Sequence, residues 1–360
     1  MRLVIGLFKI NTTATQYLSP ASRVRNVSDA VEETKSYTEG LGTAFWKDLS
    51  ALRAVFLAPE YCFARSLPKL QGDHTFGTKR QMEEDYVHNS LRPTFGALSQ
   101  SFQNALIVPG TVAWRKSILP ASTTKYASPQ AAAAARINKY QQRIQSSSNV
   151  NMPYLTNPQD PSTRNFPFTA NTTVFPNDFK RKDDPRASVP TIADKVTALQ
   201  TTAHYIAKNT AHCYYNGDCV YKYNKIGDFY EVSDADPSTV MVPNRSTVSG
   251  VAVGPGRFRV ANLDFGISVC YDQSLSVDNA AMRVLEPLQS TGGAVDFHLL
   301  LSASITPLLA NNNLKPGGYL LSCSSAEDCN QVLESNGTKL KPKKQVPINN
   351  VANLDLYVIE

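Results

Sequence analysis

The stretch "GISVCYDQS" places a thiol, Cys270, where an apolar run gives way to polar residues. Ile267 and Val269 alternate with Ser268 and Cys270 as in a strand, and Asp272, Gln273 and Ser274 are turn-like. Sheet proteins commonly put chemistry at such strand ends, although free cysteine more commonly serves as a small buried hydrophobe. A thiol attacks as the thiolate, so a reactive one needs a base and a nearby cation. Two further strand ends offer them. "AVFLAPEYCF" delivers Glu60 just past an apolar run from Ala54, where a carboxylate is either a solvated rim acid or a general base. In "HCYYNGDCVYKYNK", Asn216-Gly217 between alternating runs signals a hairpin. Its second strand puts Tyr221, Tyr223 and Lys225 on one face and Lys222 and Asn224 on the other, so Lys225 shares a face with aromatics.

These three stretches, in this order, resemble the nitrilase superfamily of carbon-nitrogen hydrolases. The likeness rests on "APE" with Glu60, "YNGDCVYKYNK" with Lys225 and "GISVCYD" with Cys270. "LIVPGTVAW" around Gly110 and "NTA" at Asn209 to Ala211 reinforce it, and it covers roughly residues 1–114 and 209–360. The resemblance implies a four-layer αββα sandwich, two mixed sheets flanked by helices. It also implies Cys270 as nucleophile, Glu60 as general base and acid, and Lys225 with the backbone N–H of Tyr271 as oxyanion donors. Glu231, in "KIGDFYE", is the candidate for an auxiliary glutamate. No metal or organic cofactor is implied. The implied partner is a small molecule, an amide ahead of a nitrile or N-carbamoyl compound, and the implied assembly is a homodimer. "CYDQSLS" lacks the arginine and Phe-Pro-Glu that commonly follow Cys-Tyr-Asp in that family, which bears on the substrate more than on the chemistry.

Elements must carry these residues to one place. Strand-like runs stand at Leu3 to Phe8, Ala54 to Leu57, Leu106 to Val108, Ala211 to Tyr215, Val220 to Tyr223, Ile267 to Val269, Phe297 to Leu301 and Leu354 to Ile359. Helical patterns begin at Ser28 and at Ser276, the second running to Gly292. Strands alternating with helices, plus a hairpin, predict an α/β layer protein with a mixed sheet. Residues 1–360 read as a single domain interrupted over 115–208. That interruption holds 13 Lys and Arg against 5 Asp, which exceeds the net +6 of the whole 360-residue chain. Within it a basic helix is predicted from Ala131 to Gln145 and another from Thr191 to Lys208, around a Pro/Asn/Thr-rich stretch that fits a lid or a partner-binding segment.

Composition excludes several classes. No run approaches the about 18 apolar residues of a membrane span, and the amino terminus reads as a first strand without a cleavage site, so a cytoplasmic protein is expected. Six cysteines are too few for a disulfide scaffold, and the pairs Cys213/Cys219 and Cys323/Cys329 do not have standard zinc spacing. Nucleic-acid binding is weakly supported, because the basic residues are scattered among Pro, Asn and Phe. Two rivals remain: a papain-like hydrolase, for which none of the five histidines has a family-specific setting, and an inactive relative that binds partners through its basic insertion.

Overall fold

The structure is a computed structural model. It describes residues 2–12, 19–46, 48, 50–66, 79–80, 82–118, 127–148, 197, 200–202, 204–225, 239–241, 256–270, 294–303, 306–307, 309, 314–326 and 329–360.

Alternation along the first strand sets the layering. In β1 (Leu3–Lys9), Leu3, Ile5 and Leu7 enter one apolar cluster while Val4 and Phe8 enter another, on the opposite face. α1 (Pro20–Gly40) covers that second face with Val27, Ala30 and Val31. It starts earlier than the Ser28 pattern predicts. The Ser19 side chain accepts the Ser22 N–H and Pro20 fills the first turn, a stronger start signal than Ser28.

β2 (Ala54–Leu57) pairs in parallel with β1. After the short pairs β3 (Arg65–Ser66), β4 (Lys79–Arg80) and β5 (Met82–Glu83), the turn α2 (Glu84–Tyr86) leads into α3 (Arg92–Ser101). β6 (Ala105–Val108) and β7 (Thr111–Ser117) follow, then α4 (Pro129–Ser148), which contains the predicted Ala131 to Gln145 helix. β8 (Tyr205–Tyr215) and β9 (Asp218–Asn224) form the expected hairpin, and β10 (Thr239–Met241) also pairs with β8. The helix predicted to reach Lys208 is corrected here. Tyr205 to Lys208 are strand, opposite Ser117 to Trp114 in an antiparallel ladder whose pairing overrides local helix propensity. The insertion is therefore rooted on a β7–β8 ladder that takes in both of its predicted edges.

The second sheet comprises β11 (Arg257–Val260), β12 (Leu263–Val269), β13 (Val295–Ser302), β14 (Leu314–Ser324) and β15 (Gln331–Glu334), in that order. β16 (Lys344–Ile348) and β17 (Ala352–Ile359) return to the first sheet, whose ten strands run β16-β17-β1-β2-β6-β8-β7-β5 with β9 and β10 also on β8. Both sheets mix parallel and antiparallel pairs. They face each other through a cluster that joins Leu3, Ile5 and Leu7 of one to Phe265, Phe297 and Leu321 of the other. This is the expected α/β sandwich, with α1 and α3 outside the first sheet. The helix predicted at Ser276 to Gly292 lies outside the described residues.

Two features bind the layers. The Cys323 sulfur sits 3.3 Å from the carbonyl oxygens of both Phe8 and Leu57, so β14 touches β1 and β2 directly. A row of stacked rings, Tyr221, Phe258, Phe265, Phe297 and Tyr319, has successive centroids 4.7, 5.3, 5.3 and 5.8 Å apart. It crosses β11 to β14 as cross-strand neighbours and ends on β9 of the first sheet. None of the six cysteines is in a disulfide, so neither local pair is joined. No helix among the described residues is long and apolar enough to cross a membrane.

Buried histidines make stability depend on pH. His298 shares a 2.8 Å hydrogen bond with the Ser268 hydroxyl, and burial lowers its pKa to about 3. His212 is also lowered to about 3, first by burial and then by Lys222. Between pH 6.5 and 3 the unfolded chain binds protons that the folded chain refuses, so stability falls as pH falls, by about 1.4 kcal/mol per pH unit for each histidine. Urea midpoints at pH 7, 6 and 5 are expected to decline, and His298→Asn is expected to flatten the slope. An unaltered slope would clear His298.

Candidate active site

The turn after β2 holds Glu60 by its backbone on every side. Ala58 N–H donates to Val108 O at 2.9 Å, and Thr111 N–H donates to Pro59 O at 3.3 Å. Glu60 N–H donates to Ser302 O at 3.3 Å, and Tyr61 N–H to the Thr111 hydroxyl at 2.8 Å. Arg23 of α1, itself buried, donates to Tyr61 O and Cys62 O at 3.1 and 2.9 Å. These contacts hold Tyr61 in the left-handed region at φ 58°, a conformation costly for a residue with a Cβ.

Gly110 makes the turn possible. Its φ is +93°, and an added Cβ would lie 2.5 Å from Pro59 O and 2.6 Å from the Cys62 Cβ. Gly110→Ala is therefore expected to cost about 2–4 kcal/mol and to displace Glu60. Thermal melts together with activity measure it; a melting temperature within a degree of wild type would contradict the close approach.

Lys225 follows β9. Its N–H donates to Asn209 O at 2.8 Å, which continues the β8–β9 ladder past Asn224. Asn224 is held by the Thr210 hydroxyl at 2.7 Å, and Thr210 by the Trp114 indole N–H at 2.8 Å. The predicted faces are the observed ones: Tyr223 and Lys225 are buried, whereas Lys222 lies outside with its ammonium 5.1 Å from the Trp114 ring. Lys225 Nζ reaches Glu60 Oε1 at 2.8 Å with both side chains fully buried, and lies 5.8 Å from the Tyr61 ring centre. Asn209 Nδ2 donates to the same Oε1 at 2.8 Å.

Cys270 leaves β12 with φ 51° and is 2% exposed. The β12–β13 register ends at Val269↔Leu301, immediately before Cys270 on one strand and, on the other, Ser302, whose carbonyl accepts the Glu60 N–H. The hairpin is tied to the same strand. Gly256 N–H donates to the Tyr221 hydroxyl at 2.9 Å, and Gly256 O accepts the Ile267 N–H at 2.7 Å. Tyr223 and Cys270 belong to one apolar cluster. The chain thus brings Glu60 and Lys225 into contact, and Cys270 and the residue whose carbonyl anchors Glu60 each directly follow the last pair of the β12–β13 register. Tyr271 and Glu231 lie outside the described residues.

Burial pushes Cys62 up to about 12, and Cys213 and Cys323 well above the usual thiol range, which keeps them protonated and inert. Among the described residues no group of three or more His, Cys, Asp or Glu side chains is arranged to hold a metal ion. Sequence reasoning missed the side-chain role of Asn209. The available signal was an asparagine on a strand face whose nearest members are Ala207, Ala211 and Cys213.

No protein-family model matches the chain, and no curated protein matches it. In fold, the chain is similar to nitrilase-superfamily amidases. An amidase of that superfamily from Nesterenkonia aligns over 100% of this chain and 90% of its own, with 10% identity and a TM-score of 0.41. A variant of the same amidase, described with the acetamide moiety of fluoroacetamide added covalently at its active-site cysteine, aligns at 10% identity with a TM-score of 0.44. The glutamine-dependent NAD+ synthetase from Acinetobacter baumannii aligns at 10% identity over 99% of this chain but 45% of its own, with a TM-score of 0.40. Overlaps this loose carry no inference about chemistry, which has to come from the side chains.

Proposed function

We propose that the protein hydrolyses a non-peptide carbon-nitrogen bond, an amide first, through a covalent intermediate on Cys270. The observation that carries this reading is the Glu60–Lys225 pair, fully buried at 2.8 Å, with Glu60 anchored to Ser302 at the end of the strand that pairs with the one leading to Cys270. A buried ion pair is weak as a stabilising device, because hydrophobic residues of similar size commonly do as well or better. In the proposed site it supplies Cys270, whose backbone is strained, with what a thiol needs, a base and a cation.

The chemistry follows from those groups. Glu60 takes the Cys270 proton, and the thiolate sulfur bonds to the carbonyl carbon. Charge moves onto the carbonyl oxygen, where Lys225 and the Tyr271 N–H serve as donors, each of the kind worth about 2.7–4 kcal/mol of barrier. The carbon–nitrogen bond then breaks as Glu60 returns the proton to the leaving amine, which leaves a thioester. Water, deprotonated by Glu60, attacks that thioester, and the thiol leaves protonated. Glu231 is assigned an auxiliary role in orienting substrate.

The test is an ammonia-release screen over small amides, N-carbamoyl compounds and nitriles, with the Cys270→Ala protein as blank. Release from amides above the blank supports the reading; release equal to the blank across all three classes ends it.

A further inference from the structure

We propose that Asn209 is a positioning residue that decides which oxygen of Glu60 exchanges the proton. The inference rests on the assignment of Glu60 as base. Asn209 grips both partners of the buried pair: its side-chain Nδ2 donates to Glu60 Oε1 at 2.8 Å, and its main-chain carbonyl accepts the Lys225 N–H at 2.8 Å. Lys225 Nζ donates to that same Oε1, also at 2.8 Å. A carboxylate only accepts, so the amide edge facing it is the NH2. An oxygen that already accepts two hydrogen bonds, one from an ammonium, is the less basic of its pair. The proton taken from Cys270 therefore goes to Oε2, as does the proton later returned to the amine or drawn from water. Oε1 stays the fixed anchor.

Asn209 is a poor choice on packing grounds alone. It is 1% exposed, and its Oδ1 is buried without a hydrogen-bond partner among the described residues. Its nearest neighbours on that strand face are Ala207, Ala211 and Cys213, where an alanine would bring no polar atom to strand. Aspartate would set a second acid against Glu60. Asparagine is the residue of this size that always donates and never charges. A residue that lowers stability where an apolar one would fit is the expected mark of a site set up for function.

The experiment compares Asn209→Ala, Asn209→Asp and wild type in two readouts. The first is the pH profile of kcat and KM on the best amide from the screen. The second is the pH dependence of Cys270 alkylation by iodoacetamide, located by peptide mapping, which needs no turnover. Asn209→Ala is expected to lower kcat by about 10- to 100-fold with KM within about twofold. Its acidic limb is expected to move to higher pH in both readouts, because Glu60 has lost a donor. Should that protein fail to fold, Asn209→Asp decides. It is expected to be weakest near neutrality and to recover toward acid pH, where the new carboxyl is protonated and can donate.

Wild-type kcat and unmoved limbs in either folded variant would overturn the inference. So would a lowered melting temperature with the pH profiles unchanged, since that is structure alone. The two failures are distinguishable. An active wild type with an inactive Cys270→Ala and indifferent Asn209 variants sinks only the positioning role, whereas a wild type with neither turnover nor alkylation at Cys270 sinks the hydrolase reading with it.

Discussion

Replacing Cys270 by alanine is expected to lower turnover by at least about 10⁴-fold while the protein stays folded. The sulfur is the only atom in the site assigned to bond with substrate carbon, so no neighbour replaces it. The fold should persist because alanine meets the same backbone demand: φ 51° is as costly with one Cβ as with another, and the lost volume is a single buried sulfur. Glycine at 270 sharpens the test. It relieves the left-handed strain by about 1 kcal/mol, offsetting the lost contacts, and should melt no lower than the alanine protein while being equally inactive. An alanine protein that keeps even a tenth of wild-type turnover would remove Cys270 from the mechanism.

The second large effect separates stability from activity. Glu60→Met or Lys225→Met alone leaves one charge buried opposite a neutral group, and each is expected to destabilise the fold by about 3–5 kcal/mol and to abolish hydrolysis. Replacing both, Glu60→Met with Lys225→Met, removes the two charges together. Most of the lost stability should return, because both side chains are fully buried and apolar substitutes need no hydrogen bonds, yet turnover should stay absent. Urea unfolding of the four proteins measures the coupling. A double variant no more stable than either single would mean that the pair stabilises the fold on its own account, and the main support for the proposed function would weaken.

Much of the sandwich is legible because its strands are apolar or alternate, and because glycine, proline and Asn-Gly mark their ends. β14 is the main exception. It sits inside the second sheet with Leu320 and Leu321 buried, but Lys315-Pro316-Gly317-Gly318 opens it and Ser322 and Ser324 close it, so its pattern resembles a loop. Its polar ends are satisfied by partners distant in sequence or across a turn, such as the Asn330 side chain and the Cys329 carbonyl, which local pattern does not reveal. The start of β8 is hidden likewise, since only pairing with β7 decides against helix. At the site, Glu60 is legible as an acid ending an apolar strand and Lys225 as a lysine on the aromatic face of a hairpin strand. The hold of Arg23 on the Tyr61 and Cys62 carbonyls is not, because Arg23 precedes the helical pattern read from Ser28 and an arginine there looks solvated until the strand beneath it is known.

The row of stacked rings has a mechanical meaning. It runs from Tyr221, four residues before Lys225, through Phe265, five residues before Cys270, and on to Tyr319. The strands that lead to the ammonium and to the sulfur are thus joined by one continuous row of packed rings. Warming should leave those strands together until the rings part, and when they part the two sheets come away as well. Heat inactivation and global melting should therefore trace a single curve.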